Sequence, residues 1–353
     1  MGLSLILKKV RRSHPASKVY RVQLCAYKRC VKLSPMAGRL APVVLLLLCG
    51  LPAAAAPDDG QMSYPFMGFN AWALMPGRGQ PTEPELIEIC EVLIKTGLRD
   101  AGYVYISPGE IGFVRDTTTG LIKLEFPEHF TGGDLKHFSQ YLHANGFKLS
   151  QGISPGAKSC TGEVGVCGPR PVNETYPLPE HCHAVADAKW MAEQGSDHWP
   201  CDWCQDICRY NSSCYVEHFG RVWDAIQSTG RNMTFGIYIY GKSHPETWAP
   251  SIGHYWRMGA DMKNAWENVI GEVDEVIWND VARQANGPGA YNMLDALVVG
   301  APNNTHTGIA GPGLSLDEAI SHMSLWVVLA SPLLLGFDIR KPIKPEIISI
   351  LTN

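Results

Sequence analysis

The sequence predicts a (β/α)8 barrel, on three observations. Short apolar runs with strand character alternate with amphipathic runs at helical spacing over nearly 300 residues, as a parallel sheet with crossover helices requires. A chain of 353 residues, 45% of them hydrophobic and 18% charged, is long enough to bury one large core and too apolar to be disordered. Polar residues terminate several apolar runs, where a barrel places the groups on its working rim: Asp202 ends SDHWPCD and Asp338 ends SPLLLGFD.

The elements follow in order. ELIEICEVLIKTGL (85–98) repeats apolar residues at helical spacing and stops at a turn, and AGYVYIS (101–107) reads as a strand. LKHFSQYLHANGFKLSQGIS (135–154) is a helix, an Asn-Gly turn and a strand. The helix HAVADAKWMAEQG (183–195) precedes the strand SDHWPCD (196–202), and the helix VEHFGRVWDAIQSTG (216–230) precedes the strand MTFGIYIY (233–240). DEVIW (274–278), LDALVVG (294–300), the helix SLDEAISHMSLWVVLA (315–330) and SPLLLGFD (331–338) complete the series.

The N-terminus is chemically distinct. Ten of the 30 Lys and Arg fall in the first 57 residues, which hold no Asp or Glu, so the remainder carries 20 basic against 34 acidic side chains. Residues 36–56 combine a basic start, a short apolar run and small residues, the pattern of a secretory signal. We therefore divide the chain into an extension plus signal, 1–56, and a barrel, 57–353; residues 1–35 admit three readings, an overlong n-region, an organelle-targeting extension or the product of an upstream start codon, of which the last is favoured because Met36 alone opens a normal signal. No segment approaches the ~20 consecutive apolar residues of a membrane span, so none is expected after signal cleavage. An acidic body argues against a nucleic-acid partner. Sequons at Asn173, Asn211, Asn232 and Asn303 fit an oxidising, glycosylating route.

Three of the 11 cysteines lie in the leader, leaving eight that are disulfide candidates first. CDWCQDIC (201–208) admits four readings: a redox dithiol, a zinc knuckle from Cys201, Cys204, Cys208 and Cys214, a set of staples, or a carboxylate, Asp202, held by staples. The last needs a second carboxylate, since glycosidic hydrolysis uses one as nucleophile and another as proton donor. Asp261, four residues after Arg257, is the candidate, and the Arg fork suits ligand hydroxyls.

The segments MGFNAWAL, AGYVYIS, GAKSC (156–160), DAKWMAEQGSDHWPCDWC, HPETW, GHYWRMGADMKNAW, NGPGAYNMLDALVVG and HMSLWVVLASPLLLGFDIR occur in an order that resembles glycoside hydrolase family 27, the melibiase group of retaining α-galactosidases and α-N-acetylgalactosaminidases. The resemblance runs from about Tyr64 to Asn353 and implies the same barrel fold. It implies Asp202 as nucleophile, Asp261 as acid/base, Trp72 and Arg257 as sugar contacts, and a Cys160–Cys204 disulfide. No metal or cofactor is required for that chemistry.

The sequence departs from the family pattern in the pocket. Where the family has two adjacent aspartates, the run is Ser107-Pro108-Gly109-Glu110-Ile111, leaving Glu110 as the one acid; Pro200 replaces a Lys, Gly152 a Tyr, and Ile239-Tyr240-Gly241 a Cys-Glu-Trp run. The segment NDPDML has become Asn292-Met293-Leu294-Asp295-Ala296-Leu297. Each lost charged hydrogen bond weakens a hydroxyl grip by about 1.5–3 kcal/mol. Tyr240, Lys242, His244 and Trp203 are the candidate replacements. The expectation is a retaining α-galactosidase-like enzyme acting on terminal α-linked galactose or a related sugar, secreted or vacuolar/lysosomal; the alternative is a degenerate barrel that binds carbohydrate without turnover. The chain stops at Leu351-Thr352-Asn353, inside the expected last helix, before the antiparallel β domain with which family members continue. Oligomeric state is left open.

Overall fold

The computed structural model describes residues 4–9, 20–25, 57, 59–74, 79–160, 162, 164–167, 182–204, 208–303 and 309–353. The expected signal and Asn173 lie outside them. Within a first unit, residues 1–51, Ser4–Lys9 pairs antiparallel with Tyr20–Cys25. A second unit, 52–353, holds everything that follows.

Eight strands form one parallel sheet: β1 (Met67–Asn70), β2 (Tyr105–Ser107), β3 (Lys148–Ser150), β4 (Ser196–Asp202), β5 (Thr234–Tyr238), β6 (Tyr255–Arg257), β7 (Tyr291–Met293) and β8 (Leu333–Leu335). Their spatial order is β7-β6-β5-β4-β3-β2-β1-β8. Leu297, just past β7, bridges in parallel to Leu335 of β8 and donates its amide to the Leu334 carbonyl at 2.8 Å. The two edges therefore meet, and the sheet curls as a (β/α)8 barrel requires.

Besides the four-residue helix Leu98–Ala101, the α-helices among the described residues are α1 (Glu83–Lys95), α2 (Lys136–Ala144), α3 (Ala184–Glu193), α4 (Ser212–Ser228), α5 (Trp266–Ile277), α6 (Asp280–Ala285), α7 (Leu316–Val328) and α8 (Pro345–Leu351). Local chemistry sets where they begin. The Glu85 carboxylate takes the Thr82 amide at 2.9 Å ahead of α1, Asn211 caps α4 by accepting from the Cys214 amide, and Ser315 and Glu318 cap each other ahead of α7. Among the described residues strict alternation is interrupted by an antiparallel hairpin, Phe113–Arg115 with Ile122–Leu124, between β2 and α2, and by two 3-10 turns, Pro245–Thr247 and Ala249–Ser251, in place of a helix between β5 and β6. DEVIW belongs to the end of α5, and the sixth strand is the three-residue run Tyr255–Arg257, too short to show a period in the sequence.

Alternation along the strands splits the core in two. Phe235, Ile237, Trp256, Leu333 and Leu335 join the large cluster shared with the helices, whereas Tyr238, Tyr255, Tyr291, Met293 and Leu334 pack together with Phe66. The second set fills the concave face and forms the floor beneath the rim. Gly68 shows how closely the strands approach: a Cβ there would lie 2.2 Å from the Tyr105 carbonyl oxygen.

Candidate active site

A cavity of about 310 Å³ opens at the C-terminal ends of the strands. Its lining is drawn from strand ends and the loops that follow them: Asn70 at the end of β1 and Trp72 after it, Ser107 at the end of β2 and Glu110 after it, Gln151 and Gly152 after β3, Asp202 at the end of β4, Tyr240 after β5, Arg257 at the end of β6 and Asp261 in the loop after it, and Asp295 after β7. Rims of parallel barrels collect side chains this way because every strand points the same direction there.

Asp202 stands half-buried at the last position of β4, paired in register with Tyr238. The Tyr240 hydroxyl donates to its Oδ1 at 2.9 Å. Burial pushes its carboxyl up to about 7; the Arg257 charge pulls it down, Glu110 pushes it up, and the Tyr240 hydrogen bond and Asp261 act in smaller opposed measure. Arg257 is buried, and one guanidinium nitrogen donates to Asp261 Oδ1 at 2.6 Å and Asp295 Oδ2 at 2.9 Å. Its carbon lies 4.7 Å from the Tyr240 ring centroid, a cation-π contact. Asp295 also accepts the Met262 amide at 2.6 Å, which ties the loop carrying Asp261 to the loop after β7. Asp261 is exposed at the mouth.

Glu110 accepts the Cys160 amide at 3.3 Å, and Cys160 is joined to Cys204 by a disulfide. This bridge ties the loop after β3 to the loop after β4, two residues beyond Asp202. Cys167 pairs with Cys182 and Cys208 with Cys214, while Cys90 and Cys201 are buried thiols. The dithiol and zinc readings of residues 201–208 therefore fail: Cys201 turns inward toward the Ile153 carbonyl, Cys204 and Cys208 have separate disulfide partners, and burial pushes the Cys201 thiol well up, leaving it inert. The groupings Glu110/Cys160/Asp202/Cys204 and Cys208/Cys214/His218 are close enough to surround an ion, but all their sulfurs are in disulfides, so neither offers a thiolate.

Of the residues singled out in the sequence, Trp72, Glu110, Asp202, Arg257 and Asp261 line the one cavity, with Cys160 and Cys204 at its wall. Trp203 does not: it is 2% exposed and packs on Tyr215, His218 and Phe219, because the residue after a strand's last inward group turns to the helix side. Asp338 instead pairs with Arg340, His244 is exposed beside Glu246, and Lys242 lies over the Tyr210 and Tyr240 rings outside the lining. Gly152 stands where it does because Trp199 fills the space: a Cβ would lie 2.0 Å from the indole Cδ1. Sequence reasoning passed over Asp295, whose signal was its place in the segment that departs from NDPDML, and the contact of Tyr240 with Asp202, whose signal was an aromatic standing where the family pattern has a Glu.

The family model Melibiase_2, described as alpha galactosidase A, matches residues 81–353. The chain belongs to the alpha galactosidase A family. Within this family it is 28% identical over 310 residues to alpha-galactosidase A of Cellvibrio japonicus, covering 84% of this chain and 68% of that protein. It is 28% identical over 298 residues to an alpha-galactosidase of Oryza sativa, covering 84% of this chain and 63% of that one, so the chain spans about two thirds of the relatives it matches. In fold it is similar to the alpha-galactosidase MEL1 of Saccharomyces cerevisiae, with a TM-score of 0.69 at 22% identity, over 86% of this chain and 64% of that chain.

Proposed function

We propose that this alpha galactosidase A family member is a retaining glycoside hydrolase that acts on a terminal α-linked galactose or a related sugar by double displacement. The observation that carries the reading is the convergence of Asp202 and Asp261, from the ends of β4 and β6, on one cavity at the rim of the curled parallel sheet. In the first step the Asp202 carboxylate attacks the anomeric carbon. The glycosidic C–O bond breaks, its electron pair goes to the leaving oxygen, and Asp261 supplies the proton. In the second step Asp261, now ionised, takes a proton from water as the water oxygen displaces Asp202 from the anomeric carbon. Asp261's exposure at the mouth suits a group that must meet leaving group and then water. Arg257, which also donates to Asp295, orients Asp261 through the hydrogen bond it donates to Oδ1. Trp72 lines the same cavity and is the proposed contact for a sugar ring. Three disulfides suit an oxidising compartment, and Asn211, Asn232 and Asn303 are exposed, which suits glycosylation on a secretory route to the exterior or to a vacuole or lysosome. No helix among the described residues is long and apolar enough to cross a membrane.

The test uses chromogenic α-galactosides with azide as an added nucleophile. The Asp202→Ala protein is expected to lose at least about 10³-fold in turnover, and azide then yields the β-glycosyl azide. Azide added to Asp261→Ala is expected to yield the α-azide, since attack there follows formation of the Asp202 ester. Unchanged turnover in a folded Asp202→Ala protein sinks the assignment, and an α-azide from that variant reverses the roles.

A further inference from the structure

One side of the cavity is walled by segments outside the parallel sheet and the helix layer. Glu110, Ile111 and Phe113, which lead into the hairpin after β2, and Ser159, Cys160 and Val164, in the loop after β3, line it. In the ring of eight strands β2 stands across from β6 and β3 from β7, so this wall faces the side that carries Asp261 and Asp295. Two hydrogen bonds that join the segments directly are long for their type: the Val164 amide reaches the Phe113 carbonyl at 3.4 Å and the Cys160 amide reaches Glu110 at 3.3 Å.

Shorter bonds come from Arg115, the last residue of the hairpin's first strand. Its Nη1 donates to the Gly120 carbonyl at 2.8 Å and to Asp187 Oδ1 at 2.7 Å, and its Nη2 donates to the Gly165 carbonyl at 2.9 Å and to Asp187 Oδ2 at 2.8 Å. One guanidinium thereby joins the hairpin turn, the loop after β3 and helix α3, meeting the carboxylate with both prongs of its fork. The Asp187 side chain is fully buried and that of Arg115 is 12% exposed, so little water competes for these bonds. Phe113 also meets Trp190 of α3 edge-on, with ring centroids 5.6 Å apart. Arg115 and Asp187 themselves stand outside the lining.

We infer that Arg115 is a positioning residue: by fastening both wall segments to α3 it sets how tightly the cavity holds a sugar against Asp202. The inference rests on the glycosidase reading above. A wall meets the sugar alike before and during bond breaking, so loosening it weakens binding and leaves the chemical step alone.

The experiment compares Arg115→Lys with wild type in the full chain, by kinetics on a chromogenic α-galactoside and by hydrogen exchange. The pH is about 7.5, where Asp187, pushed up to about 6 by burial against the pull of Arg115, is ionised. A lysine keeps a charge for Asp187, but a single ammonium cannot also span Gly120 and Gly165 as the fork does. KM is expected to rise about ten-fold, with kcat within about three-fold of wild type. Amides in residues 111–124, 154–160 and 164–167 should exchange faster while those of the sheet do not. Arg231→Lys is the control for mere loss of stability. Arg231 makes a similar fork, to the carbonyls of Ser196 and Gly195 and to Asp197, but at the start of β4, away from the rim, and its substitution should leave KM unchanged. Asp187→Asn releases the same wall from the helix side, is expected to raise KM likewise, and decides the matter if Arg115→Lys fails to fold. An unchanged KM in the folded variants, or an equal rise in Arg231→Lys, overturns the inference. If wild type turns over no glycoside, the glycosidase reading fails and exchange judges the wall by itself: faster exchange confined to the two segments upholds the fastening, and unaltered exchange overturns it.

Discussion

Replacing Tyr240 by Phe isolates one hydrogen bond. The substitution removes the hydroxyl that donates to Asp202 at 2.9 Å but keeps the ring on which the Arg257 guanidinium rests at 4.7 Å. Burial and the neighbouring Asp202 charge push the Tyr240 phenol up, so it stays a donor throughout the working range and favours the ionised form of Asp202. A hydrogen bond to a charged group contributes about 1.5–3 kcal/mol, and a ten-fold change in a protonation equilibrium corresponds to about 1.4 kcal/mol. Losing it therefore moves the Asp202 titration to a pH higher by about one to two. In the wild type the acid limb of kcat/KM, which reports the free enzyme, is expected near 7, the value to which burial and the charge balance bring Asp202. In Tyr240→Phe it moves to higher pH, so the deficit is about ten- to hundred-fold well below neutrality and shrinks in alkali. The assay is the full pH profile on one chromogenic substrate, with a denaturation curve to show that the variant is folded. A deficit of constant size at every pH would refute the reasoning, because it would mean that Tyr240 acts on the substrate and not through the protonation of Asp202.

Two further outcomes are expected. Glu272 of α5 is buried with Oε2 unpartnered; burial first and the Asp295 charge second push its carboxyl up to about 8, so the folded protein keeps a proton there that the unfolded chain releases near 4.5. Stability should consequently fall as pH rises between those values, by at most about 1.4 kcal/mol per pH unit from this group. Glu272→Gln should flatten that part of the profile in denaturant titrations at several pH values; identical slopes in both proteins would remove Glu272 as the cause. Gly152→Ala places a methyl 2.0 Å from the Trp199 Cδ1 and should cost about 1–3 kcal/mol by overpacking. A change below about 0.5 kcal/mol would show that the indole swings clear.

Legibility varied with the length over which a signal repeats. The seven-residue strand ending at Asp202 was read to the residue because the helix before it stops at Gly195 and a loop follows it, which bounds it on both sides. The three-residue strand Tyr255–Arg257 carries no period, and only pairing with β5 and β7 makes it a strand. Cysteine spacing taken alone was ambiguous for a related reason. Cys201 and Cys204 look like a pair in the chain, yet β4 sends Cys201 into the core while the following loop carries Cys204 to Cys160, 44 residues away in sequence. Trp203 and Asp295 exchanged expectations in the same way, the aromatic turning into the helix layer and the unremarked acid turning under Arg257.

The sequence by itself pointed to the kind of molecule: a parallel α/β chain with polar residues at strand ends, which local propensity and apolar period express directly. The proposed pair Asp202 and Asp261, and the pocket positions that depart from the family's pattern, came from the order of motifs that carries the resemblance. Only the tertiary structure decided the electrical character of the pocket. That Arg257 is engaged by Asp261 and Asp295, that Tyr240 reaches Asp202, and that Glu110 faces Asp202 across less than 4.8 Å are facts about groups from five different strand ends. Charge–charge energies depend on distance and burial, and neither exists until the sheet has curled and brought those ends together.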